Sequence, residues 1–322
     1  MKKILYIVLL FTLFILLTSE KDKKDLQVVN KFDISVKFPV NIKHSYRMDE
    51  ITNVERTYDD GSKYSYKRTS TYFITLWSPE RPENGFQNVF TQIDSLEYNF
   101  DDGVKNVSYY NSQDEMPPLN VQDFSKTLIP NALEFYMKYD SYGVVSKIDG
   151  GNRTEKLNYI NHPEYGFQDK ESYDYKRFMN RYSEQDIKHI ADPTKGVLPP
   201  FAVAKDSTWA IDFKFDVNFA SFSGVCKPKF NMLLDNHYYI DMSIDSIDFS
   251  DDYYDLHDQK ILATIDSSDV EGNFEMKISS KGHVKYIQTD SKVWLEGKAK
   301  NRRFREEIQS MQKWDLIGMW HL

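Results

Sequence analysis

An acidic run in the last third of the chain holds the densest set of side chains that could bind a metal ion. Six aspartates and one histidine fall between residues 245 and 258: Asp245, Asp248, Asp251, Asp252, Asp255, His257 and Asp258. Hard oxygen ligands at short spacing can coordinate Ca²⁺. The run lacks the glycine turn and the terminal glutamate of an EF-hand loop. We therefore interpret it as a solvated strand end and loop.

The sequence motifs of common enzyme classes are missing. The histidines stand singly, at positions 44, 162, 189, 237, 257, 283 and 321, so no H-E-x-x-H or H-x-H pair indicates a zinc hydrolase. There is no G-x-S-x-G nucleophile elbow. There is also no G-x-x-x-x-G-K-[ST] loop, and no G-x-G-x-x-G turn that opens a helix. Ser223-Gly224 comes nearest to a serine motif, and its place between strands predicts a turn.

Paired carboxylates are the remaining route to catalysis. Two of them can hydrolyse a glycosidic bond when one acts as the acid and the other as base or nucleophile. The chain has 49 acidic residues, so some pair will be close in any fold and the count singles out none. We predict no catalytic, cofactor-binding or metal-ligating residue, and no cofactor.

Cys226 is the only cysteine, which excludes an intrachain disulfide and a cysteine-based zinc site. The neighbouring Lys227 could lower the pKa of its thiol. Without a partnering histidine nearby in the sequence, a buried structural thiol is the better interpretation.

The elements that would position any site are organised around an internal repeat. Residues 135–148, FYMKYDSYGVVSKI, return as residues 274–287, FEMKISSKGHVKYI, with seven of fourteen positions identical. A second pair precedes them in the same order, because residues 93–98, IDSLEY, are echoed by residues 244–249, IDSIDF. We interpret each long stretch as a strand–turn–strand unit in which Gly143 and Gly282 form the turns. The chain thus contains two copies of one β-rich unit.

Composition and alternation predict strands in both copies. Aromatic residues make up 15% of the chain, and half-buried strands favour them. Apolar and polar residues alternate strictly over residues 209–219, which predicts an 11-residue strand. Asp-Gly within residues 59–62 predicts a hairpin turn. A change of phase predicts a bulge near Ser246.

Two segments outside these strands are helix candidates. Residues 170–182 could be helical, and Ser183 is a suitable N-cap for a helix over residues 184–190. Near the end of the chain, Phe304, Ile308 and Met311 fit helical spacing, while residues 314–320 fit a strand equally well.

The sequence therefore predicts a mainly β protein with antiparallel sheets of long strands, two similar halves and short helical linkers. The predicted division is a signal peptide at 1–19, a flexible leader at 20–35, a first β repeat at 36–152, a partly helical linker at 153–206 and a second β repeat at 207–322.

The N-terminal residues predict export. Met1-Lys2-Lys3 is basic, and residues 4–17 form an apolar run that is shorter than the ~20 residues of a membrane-spanning helix. We expect a signal peptide and a periplasmic or extracellular protein, with an uncleaved membrane anchor as the alternative. Leu17-Thr18-Ser19 resembles the start of a lipoprotein signal, but Glu20 replaces the cysteine that would carry the lipid.

The net charge of −8 argues against nucleic acid or an anionic membrane surface as a partner. Membrane contact is expected only through the N-terminal signal. The remaining partner candidates are an apolar small molecule and another envelope protein.

The connector between the copies resembles part of a known pattern. Val197-Leu-Pro-Pro200 leads to Lys205-Asp-Ser-Thr-Trp209, a variant of a G-D-S-W strand opening with Lys205 in place of the glycine and Thr208 inserted. With the signal and the two related halves, this layout is similar to uncharacterised secreted and lipoprotein families of Bacteroidota. The resemblance implies long antiparallel strands and no particular activity. The lipoprotein cysteine common in those families is missing here.

These observations favour an exported, non-enzymatic protein of the bacterial cell envelope that binds an apolar ligand or an envelope partner. An envelope hydrolase that acts on carbohydrate through paired carboxylates is one alternative. A structural or adhesion module is the other. The many aromatic residues would fill a core in the last case and line a ligand cavity in the first.

Overall fold

A computed structural model of the protein describes residues 30–111, 132–164 and 166–322. The predicted signal peptide at 1–19 and most of the predicted leader lie outside these residues. Among the residues that the structure describes, no helix is long and apolar enough to cross a membrane.

The described chain is mainly β, as predicted, with three short helices. The strands are β1 Lys31–Phe32, β2 Ile42–Tyr58, β3 Lys63–Trp77, β4 Phe86–Asp101, β5 Asn106–Asn111, β6 Glu134–Asp140, β7 Val145–Asp149, β8 Val203–Ala204, β9 Ile211–Val217, β10 Ala220–Cys226, β11 Lys229–Leu234, β12 His237–Ile244, β13 Ile247–Phe249, β14 Tyr254–Leu256, β15 Ile261–Ser279, β16 Val284–Ala299 and β17 Arg302–His321. The helices are α1 Gly151–Ile160, α2 Tyr173–Arg181 and α3 Glu184–Ala191.

One large antiparallel sheet organises the molecule. Ten of its strands run in the order β11-β12-β15-β16-β17-β2-β3-β4-β6-β7, with β14 paired to β15 and β5 paired to β4. One face of this sheet is the core face, because residues of alternating strand positions are buried there. A three-stranded sheet of β13, β10 and β9, together with α3, covers part of the core face.

The repeated stretches pair in the same register in both copies. Thr91 on β4 lies opposite Phe135 on β6, and Met242 on β12 lies opposite Phe274 on β15. These are equivalent positions of the two copies. The β6–β7 and β15–β16 hairpins also have their register shift at the same step.

The glycine turns predicted for the repeat are confirmed. Gly143 and Gly282 both lie in the left-handed region, with φ of 78° and 88°. Glycine adopts this conformation without steric cost, whereas other residues are strained there.

The two copies share one sheet rather than forming separate sheets. The join is the pairing of β17 with β2, which runs from Phe304 opposite Tyr58 to His321 opposite Ile42. A single cluster of buried apolar side chains accordingly extends across both copies.

The strand predicted over residues 209–219 is wrong in length. β9 spans only Ile211–Val217, because Asn218 and Phe219 have positive φ values of 49° and 67° and turn the chain into β10. The irregularity predicted at Ser246 is larger than a bulge. Ser246 has a φ of 56° and lies between β12, which pairs with β15, and β13, which pairs with β10. The chain changes sheets at this point.

The prediction of a flexible leader through residue 35 is wrong for its last residues. β1 pairs with β8, and the side chain of Ile34 is fully buried. Phe32, Ile34, Val36 and Phe38 alternate in the sequence, and this pattern indicated an ordered extended segment.

The predicted helices of the linker are confirmed. α2 lies within residues 170–182, and the side chain of Ser183 accepts a hydrogen bond from the backbone N–H of Asp186 at 3.1 Å, which caps α3. The open question at the C-terminus is resolved in favour of a strand, since β17 runs without a helix from Arg302 to His321.

Candidate functional site

Some aspartates of the acidic run have structural partners. Asp258 forms an ion pair with Arg56 at 2.8 Å, and Asp251 accepts a hydrogen bond from the backbone N–H of Ser221 at 2.8 Å. In the part of the chain that the structure describes, no group of three or more candidate ligands is placed to hold a metal ion. The exposed Asp245, Asp248 and Asp252 agree with the interpretation of the run as a solvated strand end and loop, whereas Asp255 and His257 are buried.

Cys226 and Ser223 are also structural. Cys226 is buried at the end of β10, and burial raises the pKa of its thiol. The predicted turn at Ser223-Gly224 is wrong, because both residues lie within β10 and pair with Lys214 and Phe213 of β9. Gly224 is required there since a Cβ would lie 2.7 Å from the backbone oxygen of Ser246.

The clearest chemical feature of the core face is a polar row that crosses neighbouring strands. Phe274 lies opposite Thr289, Thr289 opposite Gln312, Gln312 opposite Glu50, and Glu50 opposite Ser70. The row therefore begins at the apolar Phe274 of β15 and is polar from Thr289 of β16 to Ser70 of β3, through the middle of the sheet. Polar side chains at core positions need partners, because an unpaired buried polar group costs about 1–3 kcal/mol.

Glu50 is the charged centre of this row. Its Oε1 accepts from Arg68 at 3.0 Å, and its Oε2 lies 3.1 Å from Nε2 of His189 on α3. Burial raises the pKa of Glu50, but the hydrogen bond from His189 and the charge of Arg68 outweigh it and hold the pKa well below its ordinary range. His189 also contacts the Gln312 amide nitrogen, 3.0 Å from Nε2. These contacts fasten α3 to the sheet.

A cavity of about 440 Å³ lies beside this row, between α3, β9 and the sheet. We call it the α3 pocket. Its lining residues are Val144, Val145, Glu184, Gln185, Lys188, His189, Asp192, Lys195, Gly196, Asp212, Phe213, Lys214, Phe215, Asp216, Phe274, Thr289 and Gln312.

Lys195 places a cation in the wall of the α3 pocket. Its Nζ donates to the backbone oxygen of His189 at 2.5 Å and lies 4.9 Å from the ring centre of Trp314. Burial lowers the pKa of Lys195 to about 8, against the opposing attraction of Asp192 and Asp216. The ammonium is therefore still charged in most molecules at pH 7.

Asp192 is held inside the loop that follows α3. Its Oδ1 accepts from the Tyr139 hydroxyl at 3.0 Å, from the backbone N–H of Thr194 at 2.9 Å and from the Thr194 hydroxyl at 2.7 Å. Burial raises the pKa of Asp192, while the hydrogen bonds from Thr194 oppose the shift. These bonds tie the loop to β6, so the carboxyl of Asp192 has a structural role.

Asp216 differs from Asp192 because half of its carboxylate has no partner. Its Oδ1 accepts from Nε2 of Gln185 at 3.1 Å, and its Oδ2 is buried without a hydrogen bond. The side chain lies on β9 next to α3 and is only 4% exposed. It is the least satisfied acceptor that we find in the pocket wall.

A second cavity, of about 810 Å³, lies at the end of the sheet near β1 and the β6–β7 turn. We call it the Phe38 groove. Its apolar lining includes Phe38 and three partly exposed aromatic residues, Phe86, Tyr142 and Phe201, which are 38%, 36% and 54% exposed. The groove is a second candidate site.

A second buried ionic cluster lies along the sheet from the α3 pocket. Arg56 on β2 forms an ion pair with Glu306 on β17, and both side chains are fully buried. The hydroxyl of Tyr254 donates to the other oxygen of Glu306. All three side chains are buried and pair with one another, so we assign the cluster to the scaffold.

Reasoning from the sequence missed the residues of the α3 pocket. A signal was present in β2, where Glu50, Thr52 and Arg56 occupy the same alternation phase as the apolar Met48 and Val54. Polar residues in the buried phase of a strand indicate an internal network. No local pattern indicated that α3 would cover this network.

Comparisons with known proteins place the chain in no family. No protein-family model matches it, and no curated protein matches it. Lipovitellin, in a structure titled for its lipid–protein interactions, is similar over 88% of this chain at 12% identity and a TM-score of 0.45. This chain spans only 26% of the lipovitellin chain.

Two bacterial structures are similar at lower scores. An outer membrane channel from Pseudomonas putida F1 matches 87% of this chain and 97% of its own length, with 6% identity and a TM-score of 0.26. OccK2 (OpdF) of Pseudomonas aeruginosa matches 88% of this chain and 100% of its own length, with 8% identity and a TM-score of 0.23. Scores below 0.5 do not establish a common fold, so these likenesses assign neither a family nor a function.

Proposed function

We propose that the protein is an exported, non-enzymatic binding protein of the cell envelope, and that a small amphipathic molecule occupies the α3 pocket. One observation carries the proposal. The pocket, of about 440 Å³, has in its wall a buried carboxylate oxygen, Oδ2 of Asp216, without a partner. Small-molecule sites typically have volumes of about 300–1,000 Å³, apolar walls and a few convergent polar groups.

The walls of the α3 pocket support an amphipathic ligand. Phe213 and Phe215 stack with ring centres 6.2 Å apart, and Phe274 packs against Phe213 in a T-shaped arrangement at 6.4 Å. Lys195 and Asp216 add charges of both signs. A ligand that buries apolar surface against the rings and pairs with the charged groups satisfies both parts of the wall.

The engagement of the pocket's titratable groups favours binding over catalysis. The imidazole of His189 lies between Glu50 and Gln312, and the Oδ1 atom of Asp192 already accepts three hydrogen bonds. A glycosidase needs two carboxyl groups free to exchange protons with the substrate or with water. Asp192 is committed to the loop, so it is not free to serve as one of such a pair.

Export rests on the N-terminal sequence, where the basic start and the apolar run at 4–17 are typical of a signal peptide.

The Phe38 groove supports a second candidate function, the binding of an apolar ligand or an envelope partner. Its exposed Phe86, Tyr142 and Phe201 are the observation that favours this candidate. Contiguous exposed apolar surface often marks an interaction site.

Native mass spectrometry of the protein purified from its own envelope tests both candidates. We expect the wild-type protein to carry a bound small molecule. Val144 lines the α3 pocket and is 41% exposed, so Val144→Trp should close the pocket and remove the ligand. Val104→Trp, at a 90% exposed turn position, is the matched control and should keep it.

Phe201→Ser distinguishes the two cavities. If the ligand survives Val144→Trp and is lost from Phe201→Ser, the Phe38 groove is the site and the proposal for the α3 pocket is wrong. A wild-type protein that carries no small molecule after gentle purification would count against both candidates.

A further inference from the structure

The unpartnered oxygen of Asp216 indicates the chemical character of a ligand for the α3 pocket. The Asp216 side chain is 96% buried, since only 4% of it is exposed, yet Oδ2 has no donor within hydrogen-bond distance. Buried polar atoms in folded proteins are nearly always paired, and an exception needs an explanation. A ligand that supplies the missing donor to a carboxylate is the simplest one.

The local fold explains why Asp216 is buried at all. On β9 the apolar Phe213, Phe215 and Val217 face the core, and Asp216 belongs to the opposite phase of the strand. In a strand of the usual kind that phase would face water. Here α3 lies over it, and Gln185 of α3 reaches only one of the two carboxylate oxygens.

The neighbouring cation, Lys195, does not pair with Oδ2 of Asp216. The charge of Asp216 acts to raise the pKa of Lys195. The Nζ of Lys195, however, donates to the backbone oxygen of His189 and lies over the ring of Trp314. The lining residues include four carboxylates, Glu184, Asp192, Asp212 and Asp216, and three lysines, Lys188, Lys195 and Lys214. With all seven groups ionised, a ligand with one positive charge would bring the net charge of these groups to zero.

We propose that the α3 pocket binds an amphipathic molecule through a protonated amine, with the ammonium donating to Oδ2 of Asp216 and the apolar body lying against Phe213, Phe215 and Phe274. This inference rests on the proposed function and names the ligand class. A charged donor forms the stronger bond with a carboxylate, and an aromatic wall also attracts a cation. A neutral alcohol could supply a donor without the balancing charge.

Calorimetric titration of the full chain with three matched probes tests the inference. The probes are 2-phenylethylamine, 2-phenylethanol and 3-phenylpropanoate, which share an apolar ring and differ in the charge of the end group. We expect the amine to bind about tenfold to a hundredfold more tightly than the alcohol, and the carboxylate to bind most weakly.

Asp216→Asn keeps the size of the side chain and removes its charge. It should lower the affinity for the amine about tenfold or more and leave the affinity for the alcohol nearly unchanged. Asp248→Asn is the matched control, because Asp248 lies on β13 of the same three-stranded sheet, is exposed and does not line the α3 pocket. It should change neither affinity appreciably. Thermal unfolding of both variants checks that the fold is intact.

The outcomes separate this inference from the proposed function. If the alcohol or the carboxylate binds as well as the amine, and Val144→Trp abolishes that binding, the pocket is a ligand site but the amine is wrong. If the preference for the amine survives Asp216→Asn, the role of Asp216 is wrong. If none of the probes binds, or Val144→Trp leaves their binding intact, both the inference and the α3 pocket as binding site fail.

Discussion

Replacing Glu306 by glutamine should destabilise the protein far more than the same change at the next residue. Glu306 faces the core on β17, directly opposite Arg56 on β2, and both side chains are fully buried. Its two oxygens accept from Nε of Arg56 and from the hydroxyl of Tyr254. The substitution Glu306→Gln keeps the volume, so the effect is electrostatic rather than a cavity.

The size of the effect follows from the partners that remain. Without the charge of Glu306, Arg56 keeps Asp258 at 2.8 Å, whose side chain is 14% exposed, and Tyr58 at 3.1 Å. The glutamine amide must also turn its N–H₂ group toward one of two donors. Removing one partner of a buried ion pair typically costs about 3–5 kcal/mol, and we expect a loss in that range.

Urea unfolding at pH 7, followed by tryptophan fluorescence and circular dichroism, measures the change. Glu307→Gln is the control, because Glu307 is adjacent but lies at the surface, where it pairs with Lys292 at 2.8 Å and accepts a hydrogen bond from Gln309 at 2.9 Å. Surface pairs contribute about 0–1 kcal/mol. A loss below about 1 kcal/mol for Glu306→Gln, or equal losses for the two variants, would refute the reasoning that the Arg56–Glu306 pair is desolvated.

The double variant Arg56→Met, Glu306→Leu extends the test. Well-packed apolar residues often replace a buried ion pair at little cost, so we expect the double variant to be more stable than Glu306→Gln alone. Additive losses from the two sites would show that the charges do not interact.

Three further predictions concern pH, a turn and a helix cap. Burial, with the nearby charge of His283, lowers the pKa of His44 to about 4, so the unfolded chain binds the proton more tightly. Stability should therefore be complete above about pH 6.5 and fall by up to about 3 kcal/mol as the pH drops toward 4. His44→Asn should flatten this dependence in urea titrations between pH 4 and 7, and an unchanged slope would contradict the assignment. Gly282→Ala should cost more than Gly61→Ala, because both positions have positive φ but only at Gly282 would a Cβ meet Lys37 and the Ser35 carbonyl oxygen at 2.9 Å. Equal midpoints in thermal unfolding would contradict this steric reasoning. Ser183→Ala removes the cap of α3 and should cost about 1 kcal/mol, whereas Ser183→Asp should retain most of it. A loss of the same size in both variants would argue against capping.

Much of the fold could be predicted from local pattern. Alternation in β2 and β3 and the Asp-Gly turn between them identified a long hairpin, and the repeat identified two equivalent hairpins at Gly143 and Gly282. The C-terminal strand was ambiguous for a physical reason. Glu306 and Gln312 occupy core-facing positions of β17, so Phe304 and Ile308 stand four residues apart on that face, and Met311 of the opposite face completes a helix-like spacing.

The candidate site was not predictable in the same way. Asp216 stands at an outward position of a regular alternation, which indicates exposure to water. Its burial depends on α3, and the contact between Gln185 and Asp216 is made by two elements that are separate in the sequence. Likewise, Glu50 and His189 are 139 residues apart. Sequence periodicity predicts which face of a strand packs on its own sheet's core. It does not predict whether a distant element, such as α3, covers the other face.

The pairing of β17 with β2 also determines when the sheet can be completed. β2 is the first long strand of the described chain, and one of its edges has no partner until residues 302–321 are available. Such distant pairing delays folding, because the entropy of closing the intervening loop is lost before the contacts form. The sheet therefore cannot be completed on the ribosome until residues 302–321 have been synthesised. In the export that we propose, this delay would keep the edge of β2 unpaired until β17 has been made.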